Sequence, residues 1–136
     1  MEHPTQSHTR SQRVLFVSGD PAEGTRMTSL LEESGYLGEA LGAIEELEAH
    51  LARGAFLAVI LDLDSLAVDN PSMRRLAQRF SEVCFFCSSR TNYHPELQEA
   101  IRMLFFACLP RPVNPDELAY WLRCASEHAE ENRGPP

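Results

Sequence analysis

Five short apolar runs recur along this chain, and each is followed by a segment of helical spacing. No other feature limits the fold so strongly. A strand followed by an amphipathic helix, repeated with connections of only a few residues, predicts a parallel sheet covered by helices on both faces. The runs are Val14 to Val17, a weaker one from Tyr36 to Leu41, Phe56 to Leu61, Val83 to Cys87, and Phe105 to Leu109. The third is the most telling: Val59-Ile60-Leu61 ends abruptly in Asp62-Leu63-Asp64-Ser65. A run apolar on both faces suits a buried parallel strand, and open α/β sheets place their ligand crevice at the carboxyl ends of such strands. Asp62 is therefore the first candidate for chemistry.

The intervening segments read as helices. Pro21 opens the first, Met27, Leu30 and Leu31 share its inner face, and Gly35 supplies a stop. From Ala43 to Gly54, Ile44, Leu47 and Leu51 give the apolar stripe, while Glu45, Glu46 and Glu48 mark a solvated side. Asn70 and Pro71 look like an N-cap and first helical residue, with Met73, Leu76 and Phe80 inward. His94-Pro95 opens a fourth helix along Leu97, Ile101 and Leu104. Asn114-Pro115-Asp116-Glu117 carries a capping signal for a fifth, which presents Leu118, Trp121, Leu122 and Ala125.

With 136 residues the chain predicts one domain over 13–129, between a disordered leader at 1–12 and a flexible polar tail at 130–136. Its net charge of −8 argues against binding nucleic acid, since phosphate backbones attract basic faces. Arg74, Arg75 and Arg79 form only a small cluster. No apolar run approaches the roughly 20 residues that span a bilayer, so no membrane association is expected. The leader lacks the apolar core of a signal peptide, which points to the cytoplasm. All twelve basic residues are arginine. Cys84, Cys87, Cys108 and Cys124 lie in apolar segments, as reduced core thiols do; Cys84 and Cys87, three apart on a strand, should face opposite sides. His3, His8, His50, His94 and His128 lack ligand spacing and are expected at the surface.

If the sheet forms, Ser18, Gly19, Asp20, Asp62, Cys87, Ser88 and Arg111 collect at one edge. In order and spacing, Val14 to Val17 before an acid-and-proline turn, Val59-Ile60-Leu61-Asp62 with Ala67-Val68-Asp69-Asn70, and Arg111-Pro112-Val113-Asn114-Pro115-Asp116-Glu117-Leu118 resemble the receiver domain of two-component response regulators. The resemblance covers nearly all of residues 13–128. It implies a three-layer, doubly wound (βα)5 fold of flavodoxin-like type, with five parallel strands in the order 2-1-3-4-5. It also implies an aspartyl-phosphate switch, in which divalent metal and cations offset the charge of phosphoryl transfer to a carboxylate.

Carried onto this chain, the phosphoacceptor position falls on Asp62. The two metal-binding acids fall on Ser18 and Gly19, with Asp20 one residue late, and Asp64 stands where the family offers a backbone carbonyl. The switch hydroxyl falls on Cys87 or, one residue shifted, on Ser88. Arg111 takes the place of the family's lysine, Pro112 is the cis-proline candidate, and Cys108 stands where the family has a switch aromatic. Mg²⁺ normally needs one or two carboxylates plus waters, so no metal or other cofactor is expected unless another group compensates. Arg111 is instead expected to pair with Asp62 as a structural ion pair.

The favoured reading is an atypical pseudo-receiver that stands alone and signals through protein contacts, because the chain ends soon after its last helix. A histidine kinase or an output protein is the expected partner, and a homodimer through the last helix is a further expectation. Tyr120 and Trp121, adjacent on that helix, are the candidate interaction surface, since they cannot both face the core. One alternative is a working regulator phosphorylated on Asp62. Another is an enzyme, because Asp62-Leu63-Asp64-Ser65 is also similar to the nucleophile motif of haloacid-dehalogenase-type phosphatases; its mid-chain position and the missing lysine count against that. Gly19 to Thr25 has glycine spacing like a phosphate loop without its lysine, and reads as a turn before a helix.

Overall fold

The first strand, β1 (Arg13–Val17), pairs in parallel with β2 (Leu37–Leu41) on one side and β3 (Ala58–Asp62) on the other. β4 (Cys84–Ser89) and β5 (Ala107–Pro110) extend the sheet, giving five parallel strands in the order 2-1-3-4-5. This computed structural model describes residues 12–91 and 94–133. All but one residue of the expected leader, Asn92 and Tyr93, and the last three residues of the expected tail lie outside the described residues.

The helices follow in turn: α1 (Pro21–Glu33), α2 (Leu47–Ala52), α3 (Asn70–Arg79), α4 (Gln98–Met103) and α5 (Pro115–Arg133). Two layers cover the sheet. On one face Val14, Phe16, Ala58, Ile60, Cys84 and Phe86 meet Met27 and Leu31 of α1 and Leu118, Leu122 and Ala125 of α5. On the other, Leu15, Val17, Val59, Leu61, Phe85 and Cys87 meet Leu47 and Leu51 of α2, Met73 and Leu76 of α3, and Ala100 of α4. Cys84 and Cys87 therefore do face opposite sides, as strand alternation requires. Burying one aliphatic side chain of such a core is worth about 1.5–3 kcal/mol, and β3, with every residue buried, gains this on both faces.

Gly35 ends α1 with φ of +91°, a left-handed conformation in which the Tyr36 amide reaches back to the Leu31 carbonyl at 2.9 Å. Three local expectations need correction. The N-cap of α3 is Asp69, whose carboxylate accepts from the Ser72 amide at 3.0 Å. Asn70 turns outward to the next helix and accepts from the Ala100 amide at 2.9 Å. The second and fourth helices also begin late. Ala43 and His94 provide no side-chain cap, so each first turn tightens into a 3-10 helix, Ile44–Glu46 and Pro95–Leu97.

Nor are all the histidines idle at the surface. His50 Nε2 lies 3.0 Å from Glu39, and His94 Nε2 lies 2.7 Å from the Ser89 hydroxyl. Glu48, placed on the solvated side of its helix, is shared by Arg75 and Arg79 at 3.4 and 3.5 Å. Helix α5 runs to Arg133, beyond the point where the tail was expected to begin. Among the described residues no helix is long and apolar enough to cross a membrane.

Candidate functional site

Asp62 closes β3, and its side chain continues the Ala58 and Ile60 row toward the α1 and α5 side of the sheet. Ser18 continues the Val14 and Phe16 row from β1, which brings its hydroxyl beside the carboxylate. Ser18 Oγ donates to Asp62 Oδ2 at 2.7 Å. Ser65, one turn beyond Asp62, donates to the same oxygen at 3.0 Å. The other oxygen, Oδ1, accepts from the Asp64 amide at 3.0 Å and from Arg111 Nη1 at 2.9 Å. A carboxylate 1% exposed thus has two donors on each oxygen.

Arg111 reaches this point because it follows β5 directly, before a cis peptide bond to Pro112. Its guanidinium serves three acids. Nη1 contacts Asp62 at 2.9 Å and Asp64 at 2.7 Å, while Nη2 lies 3.3 Å from Glu23. Burial alone would lower the Arg111 pKa, but the charges of Asp62 and Glu23 and the bond to Asp64 outweigh it, so the group is held charged. Asp64 also accepts from the Arg90 amide at 3.1 Å, which ties the β3 loop to the β4 loop.

Asp20 and Gly19 bring no side chain to this cluster; the Asp20 amide only supports it, donating to Ser18 Oγ at 3.0 Å. Asp20 caps α1, its carboxylate accepting from the Ala22 amide at 3.1 Å, and the Gly19 amide donates to Ser65 Oγ at 2.9 Å. Sequence reasoning missed Glu23 and Ser65. Glu23 is an acid in the first turn of α1 and nine-tenths buried, and in the sequence it reads only as a partner of the helix dipole. Ser65 lies three residues after Asp62, the spacing at which a tight turn returns a side chain to its start.

The topology and this edge invite comparison with known proteins. No protein-family model matches the chain, and no curated protein matches it in sequence. Solved structures do match in shape. A CheY-like response regulator receiver domain protein from Methanospirillum hungatei aligns with a TM-score of 0.77 at 17% identity, over 89% of this chain and 98% of that one. The signal receiver domain of an HD domain-containing protein from Pseudomonas fluorescens gives 0.76 at 21% identity, over 88% and 97%. A response regulator receiver domain protein from Clostridium thermocellum gives 0.76 at 14% identity, over 87% and 96%. The chain has the receiver fold.

Within that receiver fold, the register of the fourth strand separates Cys87 and Ser88 by sheet face. Ser88 pairs with Asp62 and Cys87 with Leu61, so Ser88 shares the sheet face of Asp62 and Cys87 faces away. Ser88 Oγ is buried without a hydrogen-bond partner. Cys87 instead pairs in register with Cys108 of β5, and their sulfurs lie 2.6 Å apart. On the last helix of the receiver fold, Tyr120 is half exposed, and Trp121 packs edge-on against Phe106 with ring centroids 6.2 Å apart.

Proposed function

We propose that this chain is a signalling domain of receiver type that acts by contact with protein partners and accepts little or no phosphate through Mg²⁺. The observation that carries this reading is the state of Asp62. A nucleophilic carboxylate needs an oxygen lone pair directed at phosphorus and cations placed to absorb the incoming charge. Here both oxygens of Asp62 are committed to donors, and the carboxylate is 1% exposed.

The residues present do not suit Mg²⁺. The ion needs near-octahedral oxygen ligands, with one or two carboxylates free to reach it. Ser18 and Gly19 bring no carboxylate, Asp20 is occupied at the helix N-terminus, and Glu23, Asp62 and Asp64 already share one guanidinium. A fixed cation within 3.3 Å of all three acids opposes a second cation among them. The phosphatase reading is weakened on the same ground, because Asp64 is held by Arg111 and the Arg90 amide instead of standing ready to move protons. The domain is thus read as non-enzymatic and cytoplasmic, with a histidine kinase or an output protein as its partner. Tyr120 is its exposed aromatic contact on α5, where a second copy would also dock.

The deciding experiment is intact-mass measurement after incubation with acetyl phosphate and Mg²⁺. The expected spectrum shows no added phosphoryl group. A phosphoryl adduct that appears in the wild type and vanishes in Asp62→Asn would establish the working phosphoacceptor instead.

A further inference from the structure

The four cysteines are not equivalent. Cys84 is buried on the α1 and α5 face with its thiol pushed up to about 11 by burial, and Cys124 lies on α5. Cys87 and Cys108 form a pair. They stand directly opposite on adjacent parallel strands, which places their Cα atoms about 4.8 Å apart, within the range a disulfide bridges. Their sulfurs approach to 2.6 Å, well inside an ordinary non-bonded contact.

Access is divided between them. Cys108 is exposed and Cys87 is buried. A cavity of about 80 Å³ opens beside both sulfurs, lined in part by Ser89, His94 and Ile101. The Cys87 thiol donates to Cys108, which lowers the Cys108 pKa and raises that of Cys87. An accessible sulfur paired in register with a buried second thiol is the arrangement of an attacking and a resolving cysteine.

We propose that Cys87 and Cys108 are a dithiol modification site, oxidised to a disulfide by exchange with a low-molecular-weight disulfide such as oxidised glutathione. The thiolate of Cys108 attacks one sulfur of the small disulfide; its S–S bond breaks, and one thiol leaves with the proton released by Cys108. Cys87 Sγ then attacks Cys108 Sγ, the mixed disulfide breaks, and the second thiol leaves with the Cys87 proton. Two protein thiols become one disulfide, and the small disulfide takes up both electrons as two thiols. The bridge ties β4 to β5 on the face of the sheet away from Asp62. It does not depend on whether Asp62 accepts phosphate.

The test is exposure of the folded full chain to oxidised glutathione, then alkylation and unreduced peptide mapping. The expected product has two of its four cysteines shielded from alkylation and a cross-linked peptide joining Cys87 to Cys108, both reversed by dithiothreitol. Cys87→Ser should instead retain a stable glutathione adduct on Cys108, and Cys108→Ser should carry neither adduct nor cross-link at Cys87. Mapping the wild type needs no variant to fold. A wild type in which both thiols stay open to alkylation, or in which Cys108 keeps its adduct without closing on Cys87, would overturn the proposal.

Discussion

At the scale of single residues, the contest at the strand edge is between arginine and what a metal would need. Arginine cannot be deprotonated at any ordinary pH, and its planar fork lets one nitrogen serve Asp62 and Asp64 while another faces Glu23. Arg111→Ala would strand Asp62 at 1% exposure among hydroxyls and one amide, and removing one partner of a buried pair costs about 3–5 kcal/mol. Urea unfolding should show that loss. Arg111→Lys should recover only part of it, because one ammonium cannot span three carboxylates. The pairing of Arg111 with Asp62 was legible in the sequence, since a lysine-free chain offered nothing else for the β5 end. Glu23 was not, because an acid in the first turn of a helix reads equally well as a favourable partner of the helix dipole.

At the scale of elements, short apolar runs and helical periodicity located the five strands and the five helical regions, while the ends of elements were less readable. Asp69 and Asn70 are adjacent and are both favoured N-caps, so composition could not choose between them. The choice went to Asp69 because Asn70 satisfies the Ala100 amide across the α3–α4 contact. Asp69→Ala should lower the urea midpoint at constant slope, and Asp69→Asn, which keeps a capping oxygen, should lower it less. The register of β4 was illegible for a different reason. Cys84, Phe85, Phe86 and Cys87 are apolar toward both faces, and a strand buried on both sides gives no alternation to fix which side chain faces Asp62. Only pairing with β3 assigns that place to Ser88.

At the scale of the whole molecule, the strand order 2-1-3-4-5 is the one the receiver resemblance implied, and what the sequence left open is how the sheet edge is tied down. Glu39 on edge strand β2 bonds Arg13 of β1 at 2.8 Å and His50 of α2 at 3.0 Å. Burial raises its pKa, but the bonds to His50 and Arg13 outweigh burial and leave it below the ordinary 4.5. Such a group contributes stability that is present above pH 4.5 and is lost as pH falls through the lower folded value. Asp69, lowered by its bond to the Ser72 amide, acts in the same direction. Thermal unfolding followed from neutral pH into acid should therefore show a fall in Tm below pH 4.5 that is shallower in Glu39→Gln. The carboxylate of Asp62 has a different kind of consequence. Ser18 lies 44 residues before it and Arg111 lies 49 after it, so its partners are assembled only by closing two long loops of chain. Both loops must close before Asp62 has its cation and its hydroxyl together. The cluster is therefore complete only when the ends of β1, β3 and β5 are side by side, so its bonds register the whole topology at one point.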